Sequence, residues 1–484
     1  MNQIKPPTII QGGMGVGLSN WKLARQVSLG GQLGVVSGTA LDAVVARRLQ
    51  DGDEGGHIRR ALSHFPDPEM AARVLDHYFI DGGREESQPY LAVAKISLKP
   101  TVFSEELSVI SNFAEVWLAK EGHSGVVGIN FLEKVQMATP AAVLGAMIAE
   151  VDYVLMGAGV PREIPRLLND FAAHLEGFIS VDVDGAAEPF KLTLDPVALL
   201  GARLPKLKRP QFLAIVSADV LATYLAREEA IRPDGFVVEG HLAGGHNAPP
   251  RGRLTLDEHQ EPIYGARDEA NLAKIAALGL PFWLAGAYGH PERVAQALAA
   301  GANGVQVGTL FALCSDSGLL DDLRDQLMSE LDANGPVVKT DALASPTGFP
   351  FKVIQLQGTM SEPAVYEKRP RLCDLGYLRT PFTRPNGLIG YRCPSEPIPV
   401  YLKKGGKIED TVGRQCLCNG LMANIGLGQH RLDGFVEQPI LTLGSDVESA
   451  RALRLKYPAG WCAAEALSWL LSEVFVETRE LAGL

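Results

Sequence analysis

Short apolar runs recur along the first two thirds of the chain, each apolar throughout rather than alternating with polar positions. They are Thr8–Gln11, Leu33–Val36, Gly125–Asn130, Asp152–Met156, Phe212–Val216, Gly235–Val238, Phe282–Ala285 and Val305–Val307. Unbroken apolarity over so short a run is what a parallel strand buried on both faces requires. Between the runs the pattern turns helical, at Trp21–Leu29, Pro140–Glu150, Arg162–Leu175, Ala218–Arg227 and Pro291–Ala300. Pro291 suits a first helical turn and Gly301 the position just past a helix end. Eight strands alternating with helices predict an α/β chain closed into a (β/α)8 barrel, with an open doubly wound sheet as the alternative.

Three regions exceed a minimal barrel. Residues 42–88 carry many charges and two helical patterns, Ala43–Leu49 and Glu69–Tyr78, and read as a helical insertion after the second strand. Residues 177–207 contain VDVDGAAEPFKLTL, two short alternating runs around a glycine turn, which predicts an added hairpin. After about residue 320 a helix, Leu319–Asn334, leads into a segment rich in Pro, Gly and Thr that holds five of the six cysteines. The expected organisation is a barrel over 1–320, with insertions at about 42–88 and 177–207, and a C-terminal lid and four-cysteine subdomain over 321–484.

With 484 residues, 46% of them hydrophobic, the chain can bury a full core. A net charge of −11 argues against nucleic acid or an anionic membrane as the main partner. No apolar run approaches the roughly 18–20 residues that span a bilayer. The opening MNQIKPPTII lacks the basic and long apolar regions of a secretory signal, and six cysteines are too few for a disulfide scaffold. A cytoplasmic protein is expected.

The candidate chemistry lies at the strand exits. Phe282–Ala285 ends in Gly286 and Val305–Val307 in Gly308, so backbone N–H groups are bared at the turns where barrel enzymes commonly hold a phosphate. The sixth run is followed by EGHLAGGHNAPPRG. Gly244 and Gly245 remove side chains where backbone approaches something flat or charged, and His246 then stands at the barrel mouth as a candidate acid or base. A solvated loop histidine is the ordinary alternative, and Glu239, His241 and His259 are weaker candidates. Cys373, Cys393, Cys416 and Cys418 could complete the first shell of zinc or an iron–sulfur cluster, with His430 as a substitute ligand, or be four unrelated thiols. Cys314 and Cys462 read as core. The turn Ser345–Pro346–Thr347–Gly348 could cap the mouth and bring Lys339 or Lys352 to the substrate, against the alternative of a solvated loop. Arg47–Arg48, Arg59–Arg60 and Lys403–Lys407 read as surface, or as contacts for an acyl carrier or a nucleotide phosphate.

Taken together, PTIIQGGMGVGLS, EGHLAGGH and LAGAYG…GVQVGT, in that order over residues 6–315, resemble the nitronate monooxygenase (2-nitropropane dioxygenase) family, which includes flavin-dependent enoyl reductases. The resemblance implies a barrel binding FMN. It implies that Gly286, Gly308 and Thr309 hold the flavin phosphate, that Gly13 and Met14 approach the ring, and that Asn130 and Gly157 line it beside Gly244 and Gly245. His246 would be the proton-transfer residue. Relatives commonly carry an acidic residue where this chain has Leu242, so flavin binding is the stronger inheritance and the substrate the weaker. The expected function is an FMN-dependent oxidoreductase of nitronate monooxygenase or enoyl reductase type. Its expected partners are a small-molecule or acyl-thioester substrate, with NAD(P)H a candidate donor and a homo-oligomer a candidate assembly. The alternative is a non-redox lyase or isomerase gripping a phosphorylated substrate on the same glycine turns.

Overall fold

The computed structural model describes residues 6–333 and 335–474. Met1–Lys5, Asn334 and the end of the expected C-terminal subdomain lie outside them. Fourteen strands follow in chain order: β1 (Ile9–Gln11), β2 (Gly34–Ser37), β3 (Val127–Leu132), β4 (Tyr153–Gly157), β5 (Gly177–Val181), β6 (Phe190–Leu194), β7 (Gln211–Val216), β8 (Gly235–Glu239), β9 (Phe282–Ala285), β10 (Gly304–Val307), β11 (Val337–Asp341), β12 (Phe351–Gln355), β13 (Thr380–Thr383) and β14 (Ile389–Arg392). Eight of them form one parallel sheet in the order β1-β10-β9-β8-β7-β4-β3-β2. Its edges meet just before β2, where Gln11 N donates to Leu33 O and Leu33 N to Ile9 O. The buried side chain of Gln11 extends this short seam, its Oε1 accepting from Val35 N at 2.9 Å. The sheet is therefore the expected barrel, each strand lying within a few residues of its apolar run.

Strand parity sorts the core into two layers. Ile10, Leu33, Val35, Leu155, Leu213, Val237 and Trp283 point inward and form a separate apolar cluster inside the barrel. Trp283 closes the amino-terminal end, its indole Nε1 donating to Pro7 O at 2.7 Å. Alternate residues, among them Ile9, Val36, Val154, Phe236 and Leu284, face the surrounding helices.

The helices start where the sequence supplies caps. Asn20 accepts from Leu23 N ahead of Trp21–Leu29, and Pro291 opens Pro291–Ala299. Gly34 shows how tightly the first helix sits on the sheet, because a Cβ there would stand 1.8 Å from the carbonyl oxygen of Ala24. Gly34→Ala is expected to destabilise the fold by about 3 kcal/mol, read as a lower urea midpoint, since backbone cannot yield as a flexible side chain would.

The stretch after β2 is larger than the expected insertion. It holds Leu41–Gln50, His57–Leu62 and Pro68–Tyr78, then a 19-residue helix, Val102–Lys120, which packs on the helices before and after it. The expected hairpin is present as β5 and β6, paired antiparallel. After the barrel, Asp321–Ala333 takes the place of the expected helix Leu319–Asn334. Two antiparallel hairpins follow, β11–β12 and β13–β14. β12 is joined to the loop after β8: His246 bridges Phe351, Lys352 N donates to Gly245 O and Asn247 N to Pro350 O, both at 2.9 Å.

Candidate active site

One large cavity opens at the carboxyl ends of the barrel strands. Inward parity continued past the apolar layer lays its floor: Asn130 and Leu132 belong to the inward row of β3, and Gly157 ends that of β4, Ile215 that of β7, Glu239 that of β8 and Gln306 that of β10. Every residue expected to touch a flavin lines this cavity: Gly13, Met14, Asn130, Gly157, Gly244, Gly245, Gly286, Gly308 and Thr309, with His246 beside them.

The turns after β9 and β10 leave donors free. Among the described residues, the backbone N–H groups of Gly286, Gly308 and Thr309 have no acceptor in the chain. Gly286 holds φ +88°, a conformation that favours glycine, with Gly240 O at 3.0 Å from where a Cβ would stand. Thr309 Oγ1 accepts from Gly444 N at 3.2 Å, which leaves its hydroxyl proton for another partner. Three amides and a hydroxyl on one rim form a cradle for an oxyanion.

Across the cavity, Asn130 Nδ2 donates to Gly13 O at 3.0 Å, which fixes the amide, while its buried Oδ1 has no partner among the described residues. An isoalloxazine ring carries one N–H donor, and an unpaired acceptor on the floor suits it. The residues present thus fit FMN at both ends, phosphate cradle and ring acceptor.

His246 is held by two groups from the later part of the chain. Its Nε2 lies 2.7 Å from Ser345 Oγ, itself 2.8 Å from Thr347 Oγ1. Its ring meets Phe351 edge-on, with centroids 4.9 Å apart. Desolvation pushes the imidazole pKa down to about 3, and the Lys134 ammonium adds to the shift. A lowered pKa means a neutral ring across the physiological range. In the cofactor-free chain the His246 ring protons are expected to show no titration between about pH 5 and 8 by NMR, and an inflection near the ordinary histidine value would contradict this environment. Burial moves Glu239 the other way, up to about 7, so its carboxyl on the floor keeps a proton under mildly acidic conditions.

Several expectations are corrected. His241 stacks on Tyr264 at 4.6 Å, outside the cavity lining, and His259 is exposed beside Glu258. The Ser345–Gly348 turn reaches His246, but it brings no lysine to the cavity. Lys352 is buried with its Nζ on Thr340 Oγ1 at 2.6 Å, and Lys339 lies on β11; neither lines the cavity. Cys314 is fully buried, as expected for core. Cys462, expected to be core too, is part-buried at the cap of Ala463–Leu470. No group of three or more His, Cys, Asp or Glu among the described residues is arranged as a metal site, the four cysteines Cys373, Cys393, Cys416 and Cys418 included. Burial pushes the Cys393 thiol up to about 12 and that of Cys416 up to about 11, so both are protonated in the metal-free chain. Cys418 instead lines the main cavity.

The late segment also supplies walls that the sequence did not point to. Phe351, Tyr377, Leu378, Leu417, Leu421 and Leu443 complete the cavity with Phe131 and Val135 from the barrel side. Glu239, a weaker candidate of the sequence, does line the floor, and Gln306, which was not singled out, could have been found by counting two places beyond an inward strand residue. The late residues carry no local signal.

Residues 202–342 match the family model described as nitronate monooxygenase. A curated relative, (3aS,4S,5R,7aS)-5-hydroxy-7a-methyl-1-oxo-octahydro-1H-indene-4-carboxyl-CoA dehydrogenase of Mycobacterium tuberculosis, is 30% identical over 146 residues, 30% of this chain and 36% of that protein. A probable nitronate monooxygenase of Staphylococcus aureus is 25% identical over 227 residues, 46% of this chain and 61% of that protein. The chain thus matches only part of either relative's length. Among solved structures, FabK from Thermotoga maritima aligns with a TM-score of 0.46 and 16% identity over 99% of this chain and 96% of that one. A nitroalkane oxidase from Streptomyces ansochromogenes aligns with a TM-score of 0.45 and 15% identity over 99% and 98% of the two chains.

Proposed function

We propose that the chain is an FMN-dependent oxidoreductase of the nitronate monooxygenase family, whose model matches residues 202–342, with His246 as its proton-transfer residue. The observation that carries the reading is the convergence of the free amides after β9 and β10, the unpaired Asn130 Oδ1 and His246 on one cavity. Gly286, Gly308 and Thr309 would hold the phosphate, and Asn130 with the Gly13–Met14 backbone would orient the ring. Bound there, FMN would supply two-electron transfer that no side chain of the cavity provides.

The protein's own part is positioning and proton movement. Ser345 fixes the imidazole through Nε2, and among the described residues Nδ1 has no partner. A neutral ring with a free nitrogen can accept a proton from substrate and return it, and the hydroxyls of Ser345 and Thr347 extend that path by two short steps. Phe351, Leu378 and Leu421 exclude water from the same side.

That apolar wall also favours a substrate presenting an acyl chain over a small nitronate, and the mycobacterial relative acts, by its name, on a carboxyl-CoA compound. An enoyl or acyl thioester is therefore the preferred substrate class. The test is a visible spectrum of the purified protein and of protein incubated with FMN, followed by turnover of NAD(P)H with an enoyl thioester against nitronate with oxygen. Flavin bands and faster thioester turnover are expected. A protein that neither carries nor takes up FMN would overturn the reading and return weight to a non-redox enzyme of a phosphorylated substrate.

A further inference from the structure

A second cavity, of about 250 Å³, lies within the segment after Met360 and takes no part in the site above. Its walls carry three guanidinium groups, from Arg369, Arg371 and Arg414, with Tyr366, Ser395 and Cys416 between them. Their charges are not balanced alike. Arg369 makes a two-pronged pair with the buried carboxylate of Glu437. Arg371 donates to the carbonyls of Pro394 and Thr411 and to Tyr366 Oη, and Arg414 to the carbonyls of Asp410, Leu343 and Ser345. Carbonyl oxygens orient a guanidinium without neutralising it. Glu367, exposed at the edge, is the lining's carboxylate. Among the described residues, each of the three arginines uses three of its five N–H groups, leaving two on each.

We propose that this cavity is a recognition site for the phosphate or diphosphate group of a small molecule. Two unneutralised cations against one exposed carboxylate select an anion. Three planar forks around one space suit a tetrahedral oxyanion, whereas a planar carboxylate would engage one fork at a time. The fixed orientation of Arg371 and Arg414 means that little side-chain entropy remains to be lost on binding.

The position of Arg414 gives the site a consequence. Its Nη1 donates to Ser345 O at 2.6 Å, and Ser345 Oγ is the partner of His246 Nε2. Cys416 lines this cavity while Leu417 and Cys418 line the first, so the two share a wall. An anion drawn onto Arg414 therefore acts on the residue that holds the active-site imidazole. The inference does not depend on flavin.

The test is titration calorimetry of the full chain with pyrophosphate, ADP and succinate, repeated on Arg371→Gln and on the surface control Lys403→Gln. Saturable pyrophosphate binding is expected, at least about tenfold weaker in Arg371→Gln and unchanged in Lys403→Gln, as loss of a charge-assisted contact predicts. Tighter binding of ADP than of pyrophosphate identifies a nucleotide as the source, and equal binding identifies the bare anionic group; either upholds the site. The barrel cradle is separated by Gly308→Asp: binding that survives there and fails in Arg371→Gln belongs to this cavity. No saturable heat with either phosphate, unchanged affinity in Arg371→Gln, or succinate binding as tightly as pyrophosphate would each overturn the proposal. Should Arg371→Gln not fold, Arg371→Lys keeps the charge and loses the fork, and wild-type affinity in that variant would be equally fatal.

Discussion

His246→Ala is expected to lower turnover by about 10²–10⁴-fold while the protein keeps its flavin, the range that a positioned acid–base group contributes. The imidazole is neutral, held at Nε2 by Ser345 and walled by Phe351, so it is set for proton exchange and not for holding a charge. None of the cradle atoms belongs to it, and flavin content should stay at the wild-type level. Ser345→Ala should cost less than His246→Ala, because it loosens the ring without removing it. Paired rates on the two variants, with flavin quantified in each, check this. Equal rates in wild type and His246→Ala would remove the residue from the chemistry and leave the cofactor reading standing.

Gly308→Asp is expected to yield a folded, colourless protein. The position has φ −107°, which any residue adopts, and a Cβ would make only ordinary contact with Met14 Sδ at 3.4 Å. The fold should therefore tolerate the side chain. What changes is the rim: a carboxylate would stand where the phosphate sits. Two charges about 4 Å apart at an effective dielectric near 20 repel by about 4 kcal/mol, and solvent at the mouth reduces that, so FMN affinity should fall at least about 100-fold. Equilibrium titration with FMN and a melting curve of the apo chain read the two effects separately. Retained flavin would show that the phosphate lies elsewhere, and a lost melting transition would show that the turn has a structural role.

The barrel was readable because strands buried on both faces leave unbroken apolar runs, and the glycines after β9 and β10 mark their own turns. The long helix Val102–Lys120 was not readable. It is buried nearly all round, including Glu106 and Glu115, which pair with Arg73 and Arg48, so it lacks the polar face by which a helix announces its period. Its neighbours in sequence supplied charges that suggested a surface insertion. The cradle residues came from a resemblance, and their convergence is the geometric counterpart of it. The turn at Ser345 was marked by its Pro and Gly, but its partner was not, and Tyr377 and Leu421 had no local trace, because pairing β12 with the loop after β8 is a long-range event that no window of residues encodes. The cysteines show a different limit: proximity in sequence and turn-like surroundings suggested a shared ligand, and although Cys373, Cys393 and Cys416 all lie near enough to Cys418 to act on its thiol, the fold leaves Cys418 in the wall of the main cavity and Cys416 in that of the second.

The division of the cavity's walls bears on how such a protein diversifies. The strand exits, which would grip a cofactor common to many reactions, belong to the geometry of the cylinder itself, whereas the opposite wall is built from a late stretch with no role in closing it. Drift in that stretch can reshape what enters the chamber without disturbing the part that drives the reaction. New specificities are thus open to this architecture at little risk to its engine.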